Sequence, residues 1–463
     1  MVKGSSIWEQ NKQPSSDPIF ASMRHLTLAL AALAPWAVLA QNNSPGAPQT
    51  APIVIEGATV HVGDGQVFAP GYVVFAGGKI TAVGAGAPAQ APAGATRIAA
   101  QGKHLYPGLV LVNNTIGLDE VGAVRATHDY AEVGDASPEV LAVTAYNAAS
   151  ELVETARANG VLTAMVTPSA GGSNLAPGRA GLVQLDAWTT DGAVLRRSVG
   201  VMLAIPPRYA NTGWWAEPGA SVVNEGRTQG LAKLRQLLAD ARSYCQAPKS
   251  SRPYNERLEA FRNAFAGTEA VYIDAPNARE ILEAVQLARS YGFARVVVLA
   301  DASAVRVADF LAKERVPVIL KRIHSLPSRG DAPYDEVFAA PARLRAAGVE
   351  VALDISGDME PMHARNLGLM AGTATGYGLT EEQALEAVTL APARILGVAE
   401  QLGSLAVGKD ATLFVADGSF ADIAHGKVRQ AFIQGRNVDL NTRQKDLYRK
   451  YAGRYGQAVD RNP

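Results

Sequence analysis

Between residues 104 and 399 the chain repeats one pattern: an apolar run of four to seven residues, a polar turn, then a stretch with helical spacing. The apolar runs are 109–112, 161–166, 181–185, 199–205, 270–274, 296–300, 317–323 and 349–355. Runs apolar at every position suit strands buried on both faces of a parallel sheet. Helix signals lie between them. Ser137-Pro138 reads as a helix start and Asn159-Gly160 as its end, while Asn277 with Glu280 has capping-box spacing and Gly292 closes that helix. Eight strands alternating with helices predict a (β/α)₈ TIM-type barrel over 104–399, in the α/β class.

The flanks read differently. Residues 53–103 alternate in shorter runs broken by the turns GDG and GGK, and similar runs return in 403–418 and 428–440. They predict a small β-sandwich built from 53–103 and 400–440. The tail, 441–463, begins with a polar pattern that reads as a surface helix.

Ahead of the β-rich flank, Arg24 and His25 precede the apolar run Leu26–Ala34, and small residues follow Pro35 up to Ala40. This is the layout of a signal peptide over 23–40, too short to be a permanent membrane span. Residues 1–22 read as an extension or a mis-assigned start, and 41–52 as a disordered linker. Export, into a periplasm, is the expectation. Lys plus Arg and Asp plus Glu both number 43, so net charge gives no case for nucleic acid. The single cysteine, Cys245, excludes an internal disulfide and reads as a structural thiol.

Three segments carry a resemblance. IEGATVHVGDG, VVFAGGKITAVG and GKHLYPGLV, within 55–110, resemble the opening of the amidohydrolase superfamily, in its imidazolonepropionase-like exported branch. YGLTEEQALEAVTLAPARILGV (377–398) is similar to the family's last barrel helices, and GSLAVGKDATLFVADG (403–418) to its closing β segment. The resemblance spans about 53–455. It implies a barrel with divalent metal at the C-terminal mouth, where metal-bound water attacks a carbon–nitrogen, non-peptide bond. The family's ligands are a His-x-His after strand 1, histidines after strands 5 and 6, and an aspartate after strand 8 that is also the general base.

Here those positions fall on Asn113 and Thr115, on Asp274, on Leu299 or Ala300, and on Ser356, which is flanked by Asp354 and Asp358. Asn and Thr oxygens are weak neutral ligands beside imidazole, and Ala300 offers none. A two-residue offset after strand 8 brings Asp354 or Asp358 to the aspartate position. Asp301 is expected to turn away by strand alternation.

Two readings follow. In the first, the chain is a catalytically impaired or non-catalytic homologue, a pseudoenzyme with no cofactor. It binds a small molecule at the barrel mouth or acts as a homo-oligomer or hetero-oligomer with an active paralogue. In the second, it hydrolyses small or cyclic amides with a divalent metal such as zinc, held by a rebuilt site of His128, His324, His363 and Asp274. Asn113, Thr115, His128, Asp274, His324 and His363 are thus the pocket candidates. Trp188, Trp214, Trp215, Arg322, Arg329 and the glycine-rich loop 168–181 are further loop candidates.

Overall fold

The computed structural model describes residues 45–458, except 170–173, 214–216, 218, 328 and 358. The expectations for residues 1–40, and those on Trp214, Trp215 and Asp358, lie outside the described residues.

The chain opens with β1 (Ile53–His61), β2 (Val67–Ala76), β3 (Lys79–Ala85), β4 (Thr96–Ala99) and β5 (His104–Pro107). The next strands are β6 (Leu109–Asn114), β7 (Val161–Val166), β8 (Gly178–Gln184) and β9 (Val194–Ala204). A small hairpin, β10 (Tyr209–Asn211) and β11 (Ser221–Val223), precedes β12 (Ala270–Asp274), β13 (Val296–Ala300), β14 (Val318–Leu320) and β15 (Val351–Leu353). The last strands are β16 (Leu413–Ala416), β17 (Val428–Ile433) and β18 (Arg436–Asn437).

Both ends of the chain share one sheet, ordered β18-β17-β16-β5-β1-β2-β3, with β4 beside β1. Its core mixes the two ends: Ile55, Phe75 and Leu105 pack with Leu413, Val415 and Phe432. The Phe75 and Phe432 rings meet edge to face at 5.1 Å. The sheet reaches Pro107, past the expected boundary at 103, because β5 pairs with β1 and β16. Gly108 then carries the backbone into the barrel. A Cβ there would stand 2.9 Å from Leu162 Cδ1 and 3.0 Å from Thr412 Cγ2, which explains the glycine of the PGL sequence.

The barrel sheet runs β6-β7-β8-β9-β12-β13-β14-β15. Alternate strand residues belong to two cores. Val110, Val112, Met202, Tyr272, Leu299, Ile319 and Ala352 fill the interior. Leu111, Leu203, Ile273, Val298, Ala300, Leu320 and Leu353 pack outward with helix residues such as Leu234, Leu238 and Ala284. That is why the strands read as continuously apolar.

Two expectations need correction. The strand expected at 181–185 is β8, and it runs antiparallel to both β7 and β9. Among the described residues the segments before and after it hold no helix longer than Thr190–Ala193, and a parallel return needs a dozen or more residues. The helix expected from Ser137-Pro138 begins instead at Glu151 and ends at Arg157. Ser150 caps it by accepting from Leu152 N, while Ser137 N donates to Ala176 O and Leu141 bridges to Arg179. The 278–291 helix and the tail helix Arg443–Arg454 form as expected, the first with Asn277 accepting from Glu280 N and Gly292 at φ 93°. Among the described residues no helix is long and apolar enough to cross a membrane.

Candidate functional site

Strand alternation builds the mouth of the barrel. The interior rung Tyr272, Leu299, Ile319 and Ala352 is followed, two residues on, by Asp274, Asp301, Lys321 and Asp354. Four neighbouring strands thus each deliver one charged residue above the apolar plug. Asp301 lines a cavity together with Lys321, so alternation brings it to the mouth rather than away from it. Ala300, by contrast, belongs to the outward core, and Leu299 lines the cavity in its place.

A cavity of about 210 Å³ is bordered by Asn113, Thr115, Asp274 and Ser356 together, with Leu299, Lys321 and Glu360. Asn113 reaches it through a local irregularity. The β6–β7 register shifts between Leu111 and Asn114, and Asn113 adopts φ 49°, a left-handed conformation that asparagine tolerates better than most residues. Its Nδ2 donates to Asp354 Oδ2 at 2.7 Å, joining the tops of the first and last barrel strands.

Asp354 is fully buried. Its Oδ1 accepts from Ser356 N (2.8 Å) and its Oδ2 from Ser356 Oγ (2.5 Å). Burial pushes its pKa up to about 7, against the Asn113 and Ser356 hydrogen bonds that favour the anion. Of the two aspartate positions open after strand 8, Asp354 is thus the carboxyl group that contacts Asn113. Glu360 accepts from Thr115 N at 2.9 Å and Gly357 N at 3.1 Å, and burial raises its pKa as well.

Lys321 is the centre of this arrangement. Its Nζ donates to Asp274 Oδ1 at 2.6 Å. Burial acts to lower its pKa, but the charge and hydrogen bond of Asp274, with Asp354 and Asp301 beyond, hold it above the ordinary lysine value. The ammonium therefore stays charged. Lys321 also borders two adjoining cavities, one of about 390 Å³ with Asp274, Leu175, Ile205 and Asn224, and one of about 320 Å³ with Asp301, Arg322 and Ser356.

The donor set fits a divalent metal poorly. Asn113 and Thr115 bring neutral oxygens, and the Asn113 amide already faces Asp354. The Asp274 carboxylate, which is only partly buried, is paired with an ammonium. Among the described residues no group of three His, Cys, Asp or Glu side chains is placed to hold a metal.

The three loop histidines do not meet. His128 lies against Val121 O (3.2 Å) and Asp119 (3.5 Å). His324 bonds Thr373 Oγ1 at 2.7 Å, and His363 lies 3.5 Å from Asn366 Nδ2. Burial, followed by Arg322, lowers the pKa of both His324 and His363. Only Asp274 of the proposed rebuilt set borders the cavity of Asn113 and Ser356. Trp188 is exposed, and Arg329 pairs with Asp331 in an exposed loop. Cys245 is half-buried and its thiol pKa is raised by burial.

Lys321 and Glu360 escaped the sequence reading. A lysine directly after the apolar run PVIL was the available signal for the first; nothing in the sequence marks the second.

The amidohydrolase family model matches residues 255–438. Among solved structures the fold is similar to an amidohydrolase from Thermotoga maritima MSB8, at 23% identity and a TM-score of 0.72, covering 84% of this chain and 99% of that one. It is also similar to a prolidase complexed with N-methylphosphonate-L-proline (18% identity, TM-score 0.50, covering 84% of this chain and 99% of that one). A third similar structure is phenylurea hydrolase B (16% identity, TM-score 0.50, 89% and 100% covered). No curated protein matches the chain. With its eight-stranded barrel and its added β domain the chain has the fold of these structures, and over residues 255–438 it is similar to the amidohydrolase family.

Proposed function

We propose that this chain is a small-molecule-binding member of a superfamily of carbon–nitrogen hydrolases, one that does not carry out metal-dependent hydrolysis. The observation that carries this reading is the Lys321–Asp274 ion pair, 2.6 Å long, in the cavity shared by Asn113, Thr115 and Ser356. A divalent cation there would face an ammonium and would have to take Asp274 from it. Two like charges so close in a partly desolvated site oppose each other by several kcal/mol on the order-of-magnitude scale of buried charges.

The 23–40 pattern supports export to a periplasm, and the loss of the usual ligands is consistent with partnership with an active paralogue. The second reading, hydrolysis of amides on a rebuilt histidine site, finds no support in the separate positions of His128, His324 and His363.

Elemental analysis of the purified protein, paired with a panel of amides and cyclic amides with and without added Zn²⁺ or Mn²⁺, tests the proposal. Substoichiometric metal and no turnover are expected. One tightly held metal per chain, lost on Asp274→Ala together with hydrolysis of any panel member, would overturn it.

A further inference from the structure

We infer that the tail helix Arg443–Arg454 docks the protein on an anionic lipid bilayer, its tyrosine ridge entering the headgroup layer and its basic border meeting lipid phosphates. No residue of this helix borders the cavities of the barrel mouth, so its role is independent of what the mouth binds.

The helix turns a polar face to the protein. Thr442 caps it by accepting from Lys445 N. Arg443 ties it to the Glu151–Arg157 helix, its N donating to Glu154 at 2.8 Å and its Nη1 to Glu151. Lys445 Nζ donates to Leu440 O, Arg449 Nη1 donates to Asn441 and Asp446, and Ala452 is buried. Leu447, Tyr448, Tyr451 and, just past the helix end, Tyr455 stand on the other side, 40%, 42%, 48% and 72% exposed. At 3.6 residues per turn they fall within an arc of about 100°, the width of an apolar face that ordinarily packs on a core. Here it meets solvent. Arg443, Lys450 and Arg454 follow one border of that arc. Among the described residues neither Lys450 nor Arg454 has a hydrogen bond or an ion pair, and Lys450 Nζ lies 6.0 Å from the Tyr451 ring.

Charge and size select what can cover this face. The helix carries five basic residues against the single acid Asp446, in a chain whose formal net charge is zero. Burial lowers the pKa of Lys445, and the charges of Arg449, Arg429 and Lys427 lower it further, with Asp439 opposing them. A second copy of the chain would set the same basic border against itself. A helix of twelve residues is about 18 Å long and about 10 Å wide. One such face falls well short of the roughly 800 Å² per partner that a stable protein interface uses. A bilayer needs no matched surface. Anionic headgroups attract exposed lysine and arginine, and tyrosine rings settle at headgroup depth with their hydroxyls in water.

Sedimentation of the purified full chain with phospholipid vesicles tests the docking surface. Phosphatidylcholine vesicles containing about one third phosphatidylglycerol should carry the protein down, and phosphatidylcholine alone should hold it about tenfold more weakly or worse. Binding to the anionic vesicles should fall steeply between low salt and about 0.5 M NaCl. Tyr451→Ser with Tyr455→Ser, and separately Lys450→Glu with Arg454→Glu, should each weaken it about tenfold or more. Lys249→Glu with Lys313→Glu, the same charge change at exposed lysines of other helices, should bind like the parent. The lipid comparison uses the unaltered protein, so it decides the matter whatever the folding of a variant.

No binding to the anionic vesicles, equal binding to both kinds, or undiminished binding by the tyrosine or the basic variant overturns the assignment. So does a dimer in sedimentation equilibrium that the same substitutions dissociate, which would give this face to a second copy.

Discussion

Asp354 is a carboxyl group with no path to solvent, held by three hydrogen bonds and still pushed up to about 7 by burial. An unfolded aspartate titrates near 3.9. Between those two values the folded chain holds a proton that the unfolded chain has released, so this residue's contribution makes stability fall as pH rises from about 4 to about 7. Asp354→Asn removes the ionisation while keeping an oxygen for Asn113. Its stability in urea should fall less than that of the parent between pH 4 and pH 7. Equal slopes for the two proteins would show that Asp354 does not hold the proton.

The same group bears on Lys321, since its ionisation places a further negative charge near the ammonium. What was legible here was that no His-x-His pair follows the PGL sequence. The Lys321–Asp274 pair was not, because lysine is not an ordinary metal ligand and no motif marks Lys321. Its side of the strand becomes certain only once Ile319 is known to face inward.

Among the elements, β8 and β9 show where periodicity stops being informative. Apolar alternation fixes which residues are buried but not which way a strand points, so the run at 181–185 predicts one more parallel strand. The short connections on either side, the second holding only the short helix Thr190–Ala193, were the available clue. β9 lies between antiparallel β8 and parallel β12, and Gly200 sits at the tightest point, with φ 155°. A Cβ at Gly200 would lie 2.2 Å from Ala270 O, a backbone atom of the neighbouring strand that cannot step aside. Gly200→Ala should therefore destabilise by roughly 2–3 kcal/mol or more, at or beyond the usual range for overpacking. Gly192→Ala, whose Cβ would come no closer than 3.4 Å to any neighbour, is the control. Urea midpoints for the two variants decide it, and similar midpoints would remove the steric argument. The helix start misread at Ser137-Pro138 has a comparable cause: the segment found tertiary hydrogen bonds at Ala176 and Arg179 that a local pattern does not register.

For the whole molecule, the β domain is the joint between the two ends of the chain. Leu105 and Phe75 from the first hundred or so residues share a core with Leu413 and Phe432 from the last sixty. A chain ended after Gly397 would lack β16, β17 and β18 and leave the edge of β5 unpaired over an open apolar core. Such a chain should be insoluble or rapidly cut by protease under conditions where the full chain is resistant. A soluble, protease-resistant truncated protein would show that the barrel does not depend on this joint. The composite plan was readable because both halves carry short β runs, whereas their pairing through β5 and β16 was not.

That pairing has a consequence in time. β5 leaves the ribosome about 300 residues before β16, which at typical elongation rates of 5–20 residues per second is roughly 15–60 s. For that interval the opening strands have one side of their sheet missing and nothing nearby in the chain to complete it. A newly made chain is thereby kept from settling its first domain until synthesis is nearly finished. Its opening strands thus depend for their partner on chain made long after them.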